Sequence, residues 1–203
     1  MTVLDTTKNR QKVIDILTND CKDRFNDAQL HQIIQYLDNE TDFFTAPAST
    51  RFHLCCLGGL CQHSLNVYHT LSNLVELYAE QYNISKSTIA IVALFHDLCK
   101  ANFYKLDWKN VKIDGVWTKQ QVYVIDDSLP LGHGEKSVIM LLSKMHINLS
   151  DDELYAIRWH MAGFDCAVKG GESAISNAGN KTPLVGLLQA ADAISSMVLE
   201  INC

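Results

Sequence analysis

The chain has 203 residues, 47% hydrophobic and 20% charged, the balance of an ordinary globule long enough for one well-filled domain. A formal net charge of −6 argues against broad attachment to duplex nucleic acid, while leaving room for a small nucleotide or a strand end held at a metal. Seven cysteines, an odd number without a CxxC pair, suggest neither a disulfide framework nor a zinc ribbon and suit a reducing cytoplasm. With no charged-then-apolar leader, and no apolar run near the roughly 18 residues of a membrane helix, the expectation is a cytoplasmic protein that makes no membrane contact.

In chain order, residues 1–20 and 27–38 read as two amphipathic helices, the second with Leu30, Ile33, Ile34 and Leu37 at i, i+3, i+4, i+7. Residues 41–61 break that pattern at Pro47 and Gly58-Gly59 and are expected to form a structured loop. A helix follows from Gln62 to about Gln81, with His63 in its first turn. The stretch IAIVALFHDLCK, Ile89–Lys100, places seven apolar residues directly before His96, Asp97 and Lys100. Capped by Ser85, it is predicted as a buried central helix from Lys86 to about Lys100, and three polar groups ending such a run need partners.

Residues 109–125 are rich in β-branched and aromatic side chains around Asp114-Gly115, the signature of a small inserted hairpin. A loop over 126–134 leads to a helix from Glu135 to about Met145, and Ser150 with Glu153 forms a capping box for a helix running toward His160. Residues 163–181 read as loop, and a last helix runs from Pro183 to about Glu200 with Asp192 inside it. The whole is one domain over 1–203, all-α apart from the hairpin, with residues 1–45 as an N-terminal helical part.

Polar residues that interrupt apolar helical faces, or sit where such faces meet loops, are His63, His96, Asp97, His133, His160 and Asp192. Four imidazoles and two carboxylates on five elements suit one or two divalent cations, and an open coordination position on such an ion activates water. Singly, each has a simpler use, such as a hydrogen-bonded buried carboxylate at Asp192 or a charge complementing a helix dipole at His160. Asn66, His69 and Glu135 lie near these positions in sequence and would serve either to orient a ligand or as solvated surface.

His63, then His96-Asp97, then Asp192 resembles the H...HD...D signature of the HD superfamily of metal-dependent phosphohydrolases, and HDLCK resembles its HD-x-G-K segment. PASTRFHLCCLGGLCQHS is similar to the entry to the HD domain of a bacterial 3′-to-5′ exoribonuclease family, and GHGEKS and IRWHMAG resemble the further histidine positions of members that hold two metals. The resemblance spans about residues 46–200 and implies an HD-domain helical bundle. It assigns His63, His96, Asp97 and Asp192 to a first divalent metal (Mn, Fe, Mg, Ni, Co or Zn), with Asp97 bridging to a second held by His133 and His160. Asp97 and Lys100 would be catalytic, and His53, Lys100 and Arg158 would bind substrate. Cys99 stands where many members have glycine, and no GYP tripeptide follows His160, against the cyclic-di-GMP phosphodiesterase branch. No OB segment precedes the domain as in the exoribonuclease, so the expected substrate is a small phosphorylated molecule, a nucleotide, rather than a polynucleotide.

The function implied is hydrolysis of a phosphomonoester or phosphodiester. A non-catalytic nucleotide sensor and an HD-type di-iron oxygenase are the alternatives. Lys100 has a second reading as an exposed helix-end lysine, Arg158 reads more readily as a surface residue, and the hairpin as a lid, a homodimer contact or a plain ribbon.

Overall fold

The computed structural model describes residues 4–201, apart from the side chain of Ile113. Two helices, α1 (Thr6–Asp20) and α2 (Asp27–Asn39), begin the described chain, capped by Asp5 and by a reciprocal Asn26–Gln29 capping box. A loop then leads to α3 (Gly59–Tyr78), which starts three residues earlier than the apolar spacing suggests and so puts His63 in its second turn. Gly59 permits this start, because a Cβ there would lie 2.1 Å from the Leu54 carbonyl oxygen. The loop is thus laid directly on the helix end.

The central helix, α4 (Lys86–Phe95), is capped by Ser85 as expected and is the most enclosed element: Ile89 through Phe95 are all buried. It packs against α3, α1 and α6. Unlike the prediction, it stops at Phe95; His96 is its C-cap, Asp97 leaves helical geometry at φ −100°, ψ 17°, and Leu98–Lys100 form a 3-10 turn. The hairpin is longer than read from composition, with β1 (Tyr104–Ile113) and β2 (Val116–Ile125) paired antiparallel from Tyr104↔Ile125 to Ile113↔Val116 around the Asp114-Gly115 turn.

The remaining helices are α5 (His133–Ser143), α6 (Asp151–Trp159), α7 (Cys166–Lys169), α8 (Ala174–Lys181) and α9 (Leu184–Ile194). The Ser150–Glu153 capping box opens α6. Helices α7 and α8 occupy the stretch expected to be loop: Ala178 packs beneath Trp159 and Val185, and this tertiary contact holds segments too short to be helical alone. After α9 the chain takes a wide π-type turn over Ser195–Leu199. Helix α9 packs on α3 and α6, and α5 on α6, closing a bundle whose polar seam lies where the C-terminal ends of α4 and α6 meet α3, α5 and α9. Among the described residues no single helix is long and apolar enough to cross a membrane.

Candidate metal centre

His96 and His160 each occupy the C-cap of a helix, and each donates Nδ1–H to the carbonyl three residues earlier: Ala93 at 2.9 Å, Ile157 at 2.7 Å. Those carbonyls are among the ones a helix leaves unbonded in its last turn, so the imidazole satisfies the helix end and turns Nε2 outward as a lone pair. His63 reaches the same state by another route, with Nδ1 3.1 Å from both oxygens of Glu200. In each case the tautomer follows from the acceptor on the other ring nitrogen.

These lone pairs converge. His63 Nε2 lies 3.3 Å from His96 Nε2, 3.2 Å from Asp192 Oδ1 and 3.6 Å from Asp97 Oδ2. His160 Nε2 is buried without a hydrogen-bond partner among the described residues and faces Asp97 Oδ1 at 3.5 Å, while His133 Nε2 lies 2.7 Å from that same oxygen. The two oxygens of Asp97 therefore serve different neighbours, Oδ2 toward His63 and His96 and Oδ1 toward His133 and His160. Lone pairs and carboxylate oxygens this close, in a largely buried cluster, repel unless a cation lies among them.

The charges agree. Burial by itself would raise the Asp97 carboxyl, but Lys100, His96, His133 and His160 outweigh it and hold the group well below the carboxylate range. Asp192 is likewise lowered, against its burial, by His63 and His96. Burial drives His96 down to about 4, a neutral ligand, whereas burial of His63 is overcome by Asp192 and Glu200, which lift it to about 9. Without a metal, a proton at His63 answers the demand for positive charge. Asp192 and Glu200 stand against His63 and Asp97 against the Lys100 ammonium, and the C-terminal ends of α4 and α6 add negative potential, so the set suits a divalent ion. His63, His96 and Asp97 have ligand atoms within 4.8 Å of one another, as do His96, His160 and Asp192.

The 3-10 turn has a direct consequence for Lys100. At three residues per turn, positions i and i+3 eclipse, which stacks Lys100 over Asp97 and brings Nζ to 2.6 Å from Oδ2. Both line a pocket of about 220 Å³ together with His53, His160 and Asp192, the far wall being Met161, Ala162, Phe164 and Met197.

A family model described as the HD domain matches residues 60–197. The chain belongs to the HD-domain family. Comparison with curated proteins and with solved structures gave no match. HD domains bind divalent metals, and the candidate ligand clusters of this HD chain fall inside the matched span apart from those that include His53 or Glu200.

Of the residues singled out from sequence, His63, His96, Asp97, His133, His160 and Asp192 are brought together, and His53 and Lys100 line the adjoining pocket. Arg158 is a correction. Two residues before His160 on a helix, it projects to nearly the opposite side, where its guanidinium stacks 3.8 Å from the Trp159 centroid and pairs with Glu135 at 2.5 Å and Asp165 at 2.8 Å. Glu200 was missed. In an unbroken α-helix it would stand about 80° around the axis from Asp192; the wide turn reduces that offset and buries its carboxylate against His63, where Asn66 also donates to it at 2.8 Å.

Proposed function

We propose that this HD-domain protein is a metal-dependent phosphohydrolase that cleaves a phosphomonoester or phosphodiester bond of a nucleotide or related small phosphorylated molecule. The observation that carries the reading is Asp97: its carboxylate stands between two sets of imidazole lone pairs while its own turn presents the Lys100 ammonium to the same pocket.

His63, His96, Asp97 and Asp192 would hold one divalent ion, and His133 and His160 would hold a second. A divalent ion there supplies Lewis acidity and lowers the pKa of water toward neutrality. Lys100 binds. Burial works against its charge, but Asp97 overcomes this and raises its pKa, so it stays an ammonium, suited to hold a phosphoryl oxygen and offset the charge that grows in the transition state. His53 offers a buried Nε2 with no hydrogen-bond partner among the described residues, available to a second phosphoryl oxygen or to the leaving oxygen. Met161, Phe164 and Met197 line the pocket and offer apolar surface to the organic part of the substrate.

The test is a panel of nucleoside mono-, di- and cyclic phosphates offered to chelator-stripped protein reloaded with each of Mn, Fe, Co, Ni, Zn and Mg. Hydrolysis is expected to vanish on stripping, to return with at least one metal, and to fall about a thousandfold in Asp97→Asn. Nucleotides bound but recovered intact with every metal would identify a sensor instead.

A further inference from the structure

The β1–β2 ribbon takes no part in holding a metal. Ten paired residues per strand extend it about 34 Å, and most of both strands is exposed. Residues opposite one another share a face, so one face carries Tyr104, Trp108 and Lys112 from β1 and Trp117, Lys119 and Tyr123 from β2. Lys119 Nζ lies 5.7 Å from the Trp108 ring centroid, as a shared face requires. No carboxylate is among the described residues of this face; Asp107 belongs to the other and Asp114 to the turn.

Trp108 is 56% and Trp117 69% exposed. Two indoles held in water on a bare hairpin gain nothing from packing, and exposed aromatic area of this kind marks a surface that something covers. Lysine without counter-charge, on a chain of net charge −6, inverts the local sign and selects a polyanion. Tyr104, at the base of this face, follows Lys100 of the pocket wall by four residues in the chain.

We infer that this face is a platform for single-stranded nucleic acid, with bases stacked on Trp108 and Trp117 and phosphates along Lys112 and Lys119, independently of the phosphohydrolase reading. Aromatic and lysine side chains on one face, with Leu106, Asn110, Gln121 and Ile125 between them, suit unpaired bases, whose ring faces are open, and give no grip on the stacked interior of a duplex.

The experiment uses the full chain and fluorescein-labelled mixed-sequence RNA and DNA of about 12 nucleotides, single-stranded and as blunt duplex, read by anisotropy at two salt concentrations. Single strands are expected to bind more tightly than duplex. Trp108→Ala with Trp117→Ala should weaken binding about tenfold or more, and Lys112→Glu with Lys119→Glu should weaken it and flatten the salt dependence. Both variants should keep the wild-type metal content, which shows that the bundle is intact. No anisotropy change with any strand, affinity unchanged in both variants, or a wild-type dimer that the Trp variant converts to a monomer that binds strands as before would each overturn the platform. A chain that binds strands through the ribbon yet hydrolyses no phosphoester supports the platform and sinks the hydrolase reading, so the two fail separately.

Discussion

His63, His96 and His160 each spend Nδ1 on a protein acceptor so that Nε2 is left as a lone pair, and only the acceptor differs: two helix carbonyls and one carboxylate. The carboxylate is the strongest of the three, since it raises the basicity of the ring as well as aiming it. Glu200→Gln should therefore keep the hydrogen bond and lose the charge, lowering metal affinity about 10- to 100-fold by calorimetric titration, with the fold unchanged by circular dichroism. An unchanged affinity would reduce Glu200 to a packing residue. His96-Asp97 was legible because an apolar run that ends in charge needs a reason; Glu200 carried no such signal, being one acid at the end of an apolar helix whose widened turn no local pattern reveals.

At the scale of elements, the ligand groups are fixed by where helices end. Helix α4 stops before Asp97, and the 3-10 turn that follows is tied to α5 through the Cys99 N–H, which donates to Ser137 Oγ at 3.0 Å. Helix α5 in turn begins hard against the end of α6: a Cβ on Gly134 would lie 2.2 Å from the Arg158 carbonyl oxygen. This approach sets the His133 and His160 rings 5.2 Å apart. Gly134→Ala must push the two helix ends apart, costing about 2 kcal/mol in urea unfolding and lowering the number of metal ions retained, because His133 leaves Asp97 first. Wild-type stoichiometry in a destabilised Gly134→Ala would show that the approach serves packing alone. The hairpin was legible from Asp-Gly between β-branched runs, a local chemistry; the short helices over 166–181 were not, because their stability comes from the Trp159 cluster.

Across the whole molecule, the buried Glu153 carboxylate joins three parts of the chain: Arg24 donates to it at 2.7 and 3.1 Å, Thr88 of α4 at 2.9 Å, and the Ser150 backbone at 2.8 Å. Burial works to raise its pKa, but the hydrogen bond from Arg24 and its other partners overcome this and lower it. A folded pKa below the unfolded one means the stabilisation is present above the ordinary carboxylate range and is lost as pH falls through that range toward the folded value. Urea midpoints should accordingly drop on acidification below about pH 5, and Glu153→Gln should cost about 2 kcal/mol at neutral pH while making that acid slope shallower. An equal slope in the variant would assign the acid sensitivity elsewhere.

The amino-acid order alone determined the longer helices, where Ser85 and Ser150 start two of them, that a hairpin interrupts them, and which imidazoles and acids stand at the margins of apolar faces, since periodicity, caps and turn chemistry act over a few neighbouring residues. Only the tertiary structure decided that Asp97 divides its two oxygens between two groups of histidines, that Glu200 stands behind His63, and that Arg158 faces away. Those outcomes depend on helix ends and one widened turn, whose positions are settled by packing between segments distant in the chain.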